Sequence, residues 1–436
     1  AHECLDQLKL FPEKVRKQFD HVIDWLQHWA CTRELGIGTR LPWDKQWLIE
    51  SLSDSTLQMA YVTIAKYVEH ASDYGFTIDK LNDAFFDYVF LDEGSLTEVV
   101  KTTSIPSDMV ERMKKDFNYW YPFDFRNSAQ DLIQNHLTFT LFIHAVLFKK
   151  EHWPKGYVIN GRVMVDGEKM AKSKGNFFTM RELYQKYPAD ALRLTAANAG
   201  EGVEDANYEM DFLETAQKKL QEVYTTIEKY YGKGREEDRA IDKWFESVIN
   251  AEILRVTEAL ENMQFKTAVT KALFDMQRHL KWYLKRTQNN PQKGLMNKFF
   301  ETQLLLLAPI TPHFCEEAWE RLGKQPFIAN ASWPQADESK IAPAMTVGEE
   351  LITTTMGDIR SVLQLAKITI PKKATLFVAE RWKYDLFKEV SDMVKTTVVH
   401  DEEIMKKVLS DERFKKYGQT IMKFLPARLK QRKIPP

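Results

Sequence analysis

Long helical periodicity in the second half of the chain is the feature that most constrains its fold. From about residue 212, apolar residues recur at three-to-four spacing, which places them on one face of a helix. Four such segments follow one another, at 213–227, 241–263, 266–285 and 295–308. Amphipathic helices of this length bury their apolar faces against one another. The sequence therefore predicts an all-α helix bundle over residues 212–345.

The residues before this bundle alternate between helical and extended patterns, which indicates an α/β fold. Helices are predicted at 11–35, 56–70, 181–187 and 189–199, and a strand is predicted at 157–166. The mixed and charged stretch 71–118 is interpreted as an insertion that carries no chemistry. We therefore expect residues 1–211 to form one α/β domain.

A third segment, 346–436, is predicted to be a small α/β appendage. It contains a helical pattern at 351–366 and a probable strand, Lys373-Ala374-Thr375-Leu376-Phe377-Val378-Ala379. Its basic carboxyl-terminal run, 413–433, is expected to add little to a core. The fold class is thus α/β plus all-α, in three domains.

Composition excludes several function classes. Apolar residues make up 44% of the 436 residues and charged residues 28%, with a net charge of −1, which is ordinary for a globular protein. The three cysteines, Cys4, Cys31 and Cys315, form no Cys-x-x-Cys pair, so we expect a reducing compartment and no structural metal. No apolar stretch approaches the roughly 20 residues that span a bilayer. These features predict a cytoplasmic protein without a membrane role.

The stretch Lys169-Met170-Ala171-Lys172-Ser173, followed by Lys174-Gly175-Asn176, is the strongest chemical signal. Three ammonium groups within six residues repel one another unless an anion is near, and a Gly-Asn pair permits unusual backbone angles. This pattern favours a loop that grips a polyphosphate. A solvated basic loop is the alternative.

Several motifs resemble one family. Residues 161–176 resemble the strand and mobile loop of class I aminoacyl-tRNA synthetases, usually written KMSKS. Gly38-Thr39-Arg40-Leu41-Pro42-Trp43-Asp44, the run 47–56, Asn135-His136-Leu137-Thr138-Phe139 and Gly202-Val203-Glu204-Asp205-Ala206-Asn207 resemble leucyl-tRNA synthetases of the eukaryotic-cytosolic and archaeal type. These blocks occur in family order along almost the whole chain.

The resemblance implies a fold and an activity. Residues 1–211 would be the carboxyl-terminal half of a Rossmann-type catalytic domain, and the bundle would be of the anticodon-binding type. The implied reaction is activation of leucine by ATP, which enters with Mg²⁺, and transfer to tRNA(Leu). Lys169 and Lys172 would be catalytic. The implied ATP-binding residues are Lys172, Ser173, Met164, Val165, Asp131 and His136.

Two of these assignments have a local alternative. Ser128 could cap a helix with Asp131 three residues further on, which would explain Ser128 and Asp131 without a ligand. For tRNA, the resemblance and the charge run favour phosphate contacts by Lys174, Arg428, Lys430, Arg432 and Lys433, although a solvated helix face explains the run nearly as well.

The chain also departs from the family pattern. No His-x-Gly-His element occurs among its ten histidines, and the chain is expected to begin where the family returns from its editing insertion. Activity would therefore need the amino-terminal half of the synthetase, in cis or in trans. Ala129, Gln130 and Ala171 replace the family's glycine, lysine and serine. A non-catalytic tRNA-binding or regulatory relative is the alternative function.

Overall fold

The computed structural model describes residues 1–396 and 401–430. The chain divides into two compact units, Ala1–Val347 and Gly348–Pro436. In the described part, no helix is both long and apolar enough to cross a membrane.

The first 209 residues contain short strands and helices in alternation. The strands are β1 (Lys9–Phe11), β2 (Thr32–Arg33), β3 (Leu48–Ile49), β4 (Arg126–Ala129), β5 (Gly156–Asn160), β6 (Val163–Val165), β7 (Glu168–Lys169) and β8 (Ala206–Tyr208). The helices are α1 (His2–Gln7), α2 (Arg16–Trp25), α3 (Ser51–Tyr61), α4 (Ala65–Val68), α5 (Asp83–Phe86), α6 (Leu96–Thr103), α7 (Ser107–Trp120), α8 (Thr138–Leu147), α9 (Met180–Tyr184) and α10 (Ala189–Asn198).

Two small sheets organise this region. The first is parallel, in the order β1-β5-β4, and its central strand β5 is buried over Gly156–Ile159. Burial of a central parallel strand on both faces explains the unbroken apolar run Tyr157-Val158-Ile159. The second sheet has the order β7-β6-β8, in which β6 pairs antiparallel with β7 and parallel with β8. Strands β2 and β3 form a separate antiparallel ribbon.

The prediction of one strand over 157–166 is wrong, because β5 and β6 belong to different sheets. The break falls at Gly161, where an added Cβ would lie 2.2 Å from the Glu204 carbonyl oxygen. Only glycine permits this approach. The alternating pattern continues across the break and does not reveal the contact.

Two predicted helices have different bounds. The helix expected over 11–35 is confined to α2, and Thr32–Arg33 beyond it is a strand. The helix expected over 56–70 begins earlier, at Ser51, because the Glu50 carboxylate accepts hydrogen bonds from the backbone N–H groups of Leu52 and Ser53. It ends at Tyr61, and α4 follows as a separate helix.

The stretch 71–118 is helical and shares a core with the parallel sheet. Phe85, Val89, Val99 and Phe117 are buried in the same apolar cluster as Tyr157 of β5. The mixed charges of this stretch lie on exposed faces of α6 and α7, which have strong amphipathic character.

The predicted helices of the bundle are present. They are α11 (Met210–Tyr230), α12 (Ala240–Glu261), α13 (Phe265–Val269), α14 (Met276–Arg286), α15 (Lys293–Leu307) and α16 (Pro312–Arg321). The helix predicted at 351–366 is α17 (Pro343–Leu365), which follows the bundle helices along the chain. A π-helical segment, Thr270–Asp275, joins α13 to α14. The bundle core also takes in side chains from before residue 212, since Leu192 and Leu194 of α10 are part of it.

Helix α10 fastens the bundle to the residues before it. The Asp190 carboxylate accepts hydrogen bonds from the backbone N–H of Phe314 and from His313 Nδ1, the latter at 2.9 Å. Arg193 donates to the carbonyl oxygens of Ile310 at 2.9 Å and Pro309 at 3.1 Å. Asp190 therefore places a carboxylate at the amino terminus of α16, where the helix dipole favours negative charge.

The predicted strand at 373–379 is wrong, and the described residues from Arg381 onward are mainly helical. Residues 373–379 are exposed and form no strand pairing within the described residues. The helices that follow are α18 (Arg381–Thr396), α19 (Asp401–Ser410), α20 (Glu412–Lys415) and α21 (Gly418–Lys430).

These helices have a core of their own, and the basic run contributes to it. Phe414, Ile421, Leu425 and Leu429 are buried against Leu386 and the rest of this cluster. The expectation that 413–433 adds little to a core is therefore wrong. In α21, Ile421, Leu425 and Leu429 recur every four positions, which is a helical stripe.

A buried ion pair links two parts of the bundle. Arg235 donates to both carboxylate oxygens of Asp242, one of them at 2.9 Å, and the Tyr283 hydroxyl donates to Asp242 at 2.6 Å. Burial alone would raise the pKa of Asp242, but the hydrogen bonds from Arg235 and Tyr283 outweigh burial and lower it. The charged pair is thus satisfied on both sides.

Removing one member of this pair should destabilise the protein strongly. Asp242→Ala leaves the Arg235 guanidinium buried without its counter-charge, so we expect a loss of about 3–5 kcal/mol in the free energy of unfolding. Urea unfolding checks this, with the exposed neighbour Asp238→Ala as control and an expected change below about 0.5 kcal/mol. Equal, small losses for both variants would contradict the prediction.

Candidate functional site

The lysine loop, residues 169–176, extends from a fixed hairpin. Strands β6 and β7 are joined by Asp166 and Gly167, which have φ values of +48° and +81°, as a tight two-residue hairpin turn requires. The Asn207 side chain accepts a hydrogen bond from the Gly167 N–H at 2.7 Å. The Asp166 carboxylate accepts one from the Met210 N–H, at the start of α11, at 3.0 Å.

The loop itself is a short turn closed by one side chain. Residues Lys172–Lys174 form a 3-10 turn, and Gly175 follows with a φ of +71°, as the Gly-Asn pair predicted. Asn176 Oδ1 accepts a hydrogen bond from the Ala171 N–H at 2.9 Å, and its Nδ2 donates to the Lys169 carbonyl at 3.2 Å.

The charges of the loop are unevenly compensated. Lys169, Lys172, Ser173 and Lys174 are all exposed. Lys174 forms an ion pair with Glu168 at 3.3 Å, and Lys172 Nζ lies 5.2 Å from the centre of the Phe177 ring. Among the described residues, no ion pair within 4.0 Å includes Lys169 or Lys172. Two ammonium groups are therefore exposed without an internal counter-ion.

A polar pocket of about 380 Å³ lies where strands β4 and β5 end. It is lined by Gln18, Gln130, Asp131, Gln134, Arg162 and Asp205. The carboxyl ends of parallel strands, where the chain leaves the sheet, are the usual place for ligands in α/β folds. Two carboxylates, one guanidinium and three amides suit a ligand that carries hydroxyl groups and negative charge.

The pocket includes residues that the sequence analysis did not assign. Gln18 lies on α2 and Gln134 after β4, and no local pattern marks them. Arg162 and Asp205 are joined, since the Asp205 carboxylate accepts a hydrogen bond from the Arg162 N–H at 2.8 Å. Arg162 lies in the family-like segment 161–176 and Asp205 in the family-like segment 202–207, and the resemblance of these segments could have identified both residues.

The structure separates Asp131 from His136. Asp131 is exposed at the pocket, whereas His136 is 4% exposed and lies against α3, with Nδ1 at 3.4 Å from Ser55 Oγ. His136 Nε2 is buried and has no hydrogen-bond partner among the described residues. Burial, reinforced by the charge of Arg126, lowers the pKa of His136 to about 4. His136 therefore does not line this pocket, and its role in ATP binding stays a prediction.

The alternative that Ser128 caps a helix is wrong. Ser128 lies within β4, and the short 3-10 turn that follows begins after Ala129 without a side-chain cap. Asp131 lies in this turn and lines the pocket at the end of β4.

Met164 and Val165 lie on the central strand of the second sheet. Met164 is half-buried and Val165 is buried, and β6 has pairing strands on both sides. The contact between their backbone and adenine stays a prediction.

The residues predicted to bind tRNA are spread along the chain. Lys174 is drawn back to the hairpin by Glu168. Arg428 and Lys430 belong to α21, while Arg432 and Lys433 lie outside the described residues. No group of three or more His, Cys, Asp or Glu side chains that could hold a metal ion occurs in residues 1–396 and 401–430.

Two segments of the chain match known protein families. Residues 1–209 match the family described as tRNA synthetases class I (I, L, M and V). Residues 242–376 match the family described as anticodon-binding domain of tRNA ligase.

Curated relatives that match most of this chain are leucine–tRNA ligases. The chain is 43% identical to that of Aeropyrum pernix over 387 residues, which are 88% of this chain and 40% of the relative. It is 37% identical to that of Pyrococcus abyssi over 442 residues, 99% of this chain and 45% of the relative. It is also 37% identical to that of Methanocaldococcus jannaschii over 428 residues, which are 98% of this chain and 44% of the relative. The chain thus spans less than half the length of these relatives.

Three buried histidines, His136, His144 and His152, predict a loss of stability in mild acid, because burial lowers the pKa of each. Burial, partly offset by a hydrogen bond to the Thr140 carbonyl, lowers the pKa of His144 to about 4, as in His136. In the unfolded chain a histidine has a pKa of about 6.5, so it binds a proton below that pH. In the folded chain His136 and His144 stay unprotonated until about pH 4, so acid favours the unfolded chain. Stability is therefore complete above about pH 7 and falls as the pH drops, by roughly 2 kcal/mol at pH 5 for each of these two histidines.

His136→Gln should remove the contribution of His136 to this pH dependence, roughly 2 kcal/mol at pH 5. The measurement is the difference in unfolding free energy between pH 7 and pH 5, and exposed His21→Gln is the control that should leave the difference unchanged. A His136→Gln protein with the full wild-type difference would rule out a role for His136.

Proposed function

Because the chain belongs to the class I tRNA synthetases and is similar to leucine–tRNA ligases along nearly all of its length, we propose that it carries the lysine-loop half of a leucine–tRNA ligase. The observation that carries the proposal is the pair of exposed, uncompensated ammonium groups of Lys169 and Lys172 on a loop fastened at the hairpin. Such a pair suits the polyphosphate of ATP.

The reaction explains why cations are needed there. The leucine carboxylate attacks the α-phosphorus of ATP, and negative charge gathers on the phosphoryl oxygens and the departing pyrophosphate. Fixed cations that meet this charge lower the barrier. Lys172 is the first choice and Lys169 the second, with Ser173 as a hydroxyl donor. Mg²⁺ enters with ATP, held chiefly by its phosphates.

The polar pocket suits the ribose of ATP. The Asp131 carboxylate can accept hydrogen bonds from ribose hydroxyls, and Arg162 can offset the charge of Asp131 and Asp205. Met164 and Val165 remain our candidates for contact with adenine. His136 remains a candidate for ATP binding, although it is buried against α3 and does not line this pocket.

The whole reaction requires partners. We propose that a segment with the His-x-Gly-His element, in the same polypeptide or in another chain, completes the site in the cytoplasm. Leucine and tRNA(Leu) are the other substrates. Residues 1–211 would act as the catalytic half, 212–345 as the anticodon-binding-type bundle and 346–436 as an appendage.

A non-catalytic tRNA-binding relative is the second candidate. Gln130 lines the pocket where the family has lysine, Ala129 adds a methyl group beside it, and Ala171 lacks a hydroxyl. Leucine-dependent ATP–pyrophosphate exchange separates the two functions. Exchange should be absent from this chain alone and appear when the amino-terminal part of a leucine–tRNA ligase is supplied; its continued absence would favour the binding protein.

Lys172→Ala should lower the rate of activation in the completed enzyme by ~10²–10³, with a smaller effect on leucine binding. The reason is loss of a cation that acts mainly in the transition state. The measurement is kcat and KM for leucine in the exchange assay. Lys233→Ala, which removes an exposed lysine far along the chain, is the control, and equal losses in both variants would contradict the assigned role.

The carboxyl-terminal basic residues should contribute to tRNA binding. Deletion of 413–436 is unsuitable, because Ile421 and Leu425 are part of a core. We expect Gln substitution at Arg428, Lys430, Arg432 and Lys433 to weaken binding and to reduce the slope of log affinity against log salt by roughly 0.7–0.9 per lost phosphate contact.

Filter binding across a salt series measures this slope. The matched control has Gln at four exposed lysines, Lys80, Lys101, Lys115 and Lys155. An unchanged slope in the first variant would show that the basic run is a solvated helix face.

A further inference from the structure

One amide side chain closes the lysine loop. Asn176 Oδ1 accepts from the Ala171 N–H at 2.9 Å, and Nδ2 donates to the Lys169 carbonyl at 3.2 Å. These two backbone groups flank Met170, so the returning chain is tied to the end of β7. To bind both the Ala171 N–H and the Lys169 carbonyl, a short side chain must offer one acceptor and one donor. Aspartate has no donor when ionised, and serine has a single oxygen.

The remaining hydrogen bonds of the turn are internal to it. The Lys174 N–H donates to the Ala171 carbonyl at 3.1 Å, and the Gly175 N–H donates to the Lys172 carbonyl at 3.2 Å. Neither bond connects the turn to the hairpin. The ion pair of Lys174 with Glu168 does, but both side chains are at least half exposed, at 51% and 65%, and such pairs contribute little.

The two ends of the loop are therefore fixed in different ways. The hairpin is held by Asn207 and Asp166, which bind β8 and the start of α11 to its turn. The returning segment is held at Asn176, which is half-buried although the lysine side chains around it are exposed. Loss of Asn176 should leave the hairpin in place and release the turn.

We propose that Asn176 is a positioning residue for the polyphosphate of ATP: by tying the turn to β7, it holds the backbone of Lys172 in one arrangement relative to Lys169. This inference rests on the proposed function of the loop. Lysine carries its charge on a flexible stem, so the backbone beneath it decides how much freedom must be lost when the anion binds. Donors that are already in place need no reorganisation.

The first test is opening of the loop, which requires no activity. In limited trypsin digestion of the chain, mass spectrometry follows cleavage after Lys174. Asn176→Ala should be cleaved about tenfold faster than the wild type, because opening no longer breaks two hydrogen bonds. The control is Asn262→Ala, which removes an exposed amide whose side chain makes a single hydrogen bond, to the Glu258 carbonyl. Equal cleavage rates in the two variants would overturn the proposal.

The second test is binding of inorganic tripolyphosphate, measured by calorimetry. Lys172→Ala and Asn176→Ala should each weaken binding by about tenfold. If Asn176 acts through the lysine, the double variant should bind within about twofold of Lys172→Ala alone.

The outcomes separate this inference from the proposed function. Fully additive losses in a chain that binds tripolyphosphate would overturn the positioning role and leave the lysine loop as a phosphate site. A wild-type chain that does not bind tripolyphosphate would overturn both. A merely structural asparagine would give additive losses, because its effect would not depend on Lys172.

Discussion

The contact between Gly161 and the backbone of Glu204 is the constraint on which the rest of the site depends. An added Cβ at Gly161 would lie 2.2 Å from the Glu204 carbonyl oxygen, so the two chain segments touch only because residue 161 has no side chain. Hydrogen bonds on either side, from the Arg162 N–H to Asp205 and from the Ala206 N–H to the Arg162 carbonyl, then bring β6 and β8 into parallel register. The pocket at the end of β5 and the hairpin of the lysine loop both follow from this crossing.

Electrostatics explains why the loop is built with its charges in water. Lys169 and Lys172 are exposed, so their repulsion is screened by solvent and costs the folded protein little. The same ammonium groups interact much more strongly with phosphate oxygens once a bound anion displaces water. Glu168 compensates Lys174 alone, which leaves the other two lysines for an anion.

Periodicity predicted the bundle because its long helices show apolar stripes. In α11 the buried residues are spaced as such a stripe requires, at Leu213, Ala216, Leu220, Val223 and Ile227. The strand at 157–166 could not be predicted correctly, since a period of two carries no information about the contact at Gly161. The strand at 373–379 has the composition of a strand, but pairing decides whether one forms. In the site, the Gly-Asn pair predicted the turn, whereas Gln18 and Arg162 are far apart in sequence and meet only through the fold.

The hairpin of β6 and β7 also ties the lysine loop to the bundle. Asp166 stands at the hairpin turn with a φ of +48°, and its carboxylate accepts a hydrogen bond from the Met210 N–H, one of the donors that a helix start leaves unpaired. A negative charge at that end is further favoured by the helix dipole. Since α11 is 21 residues long and packs into the bundle core, its first turn cannot shift alone. A displacement of α11 must therefore either break this bond or carry the hairpin with it, which makes the position of the lysines depend on the packing of the bundle.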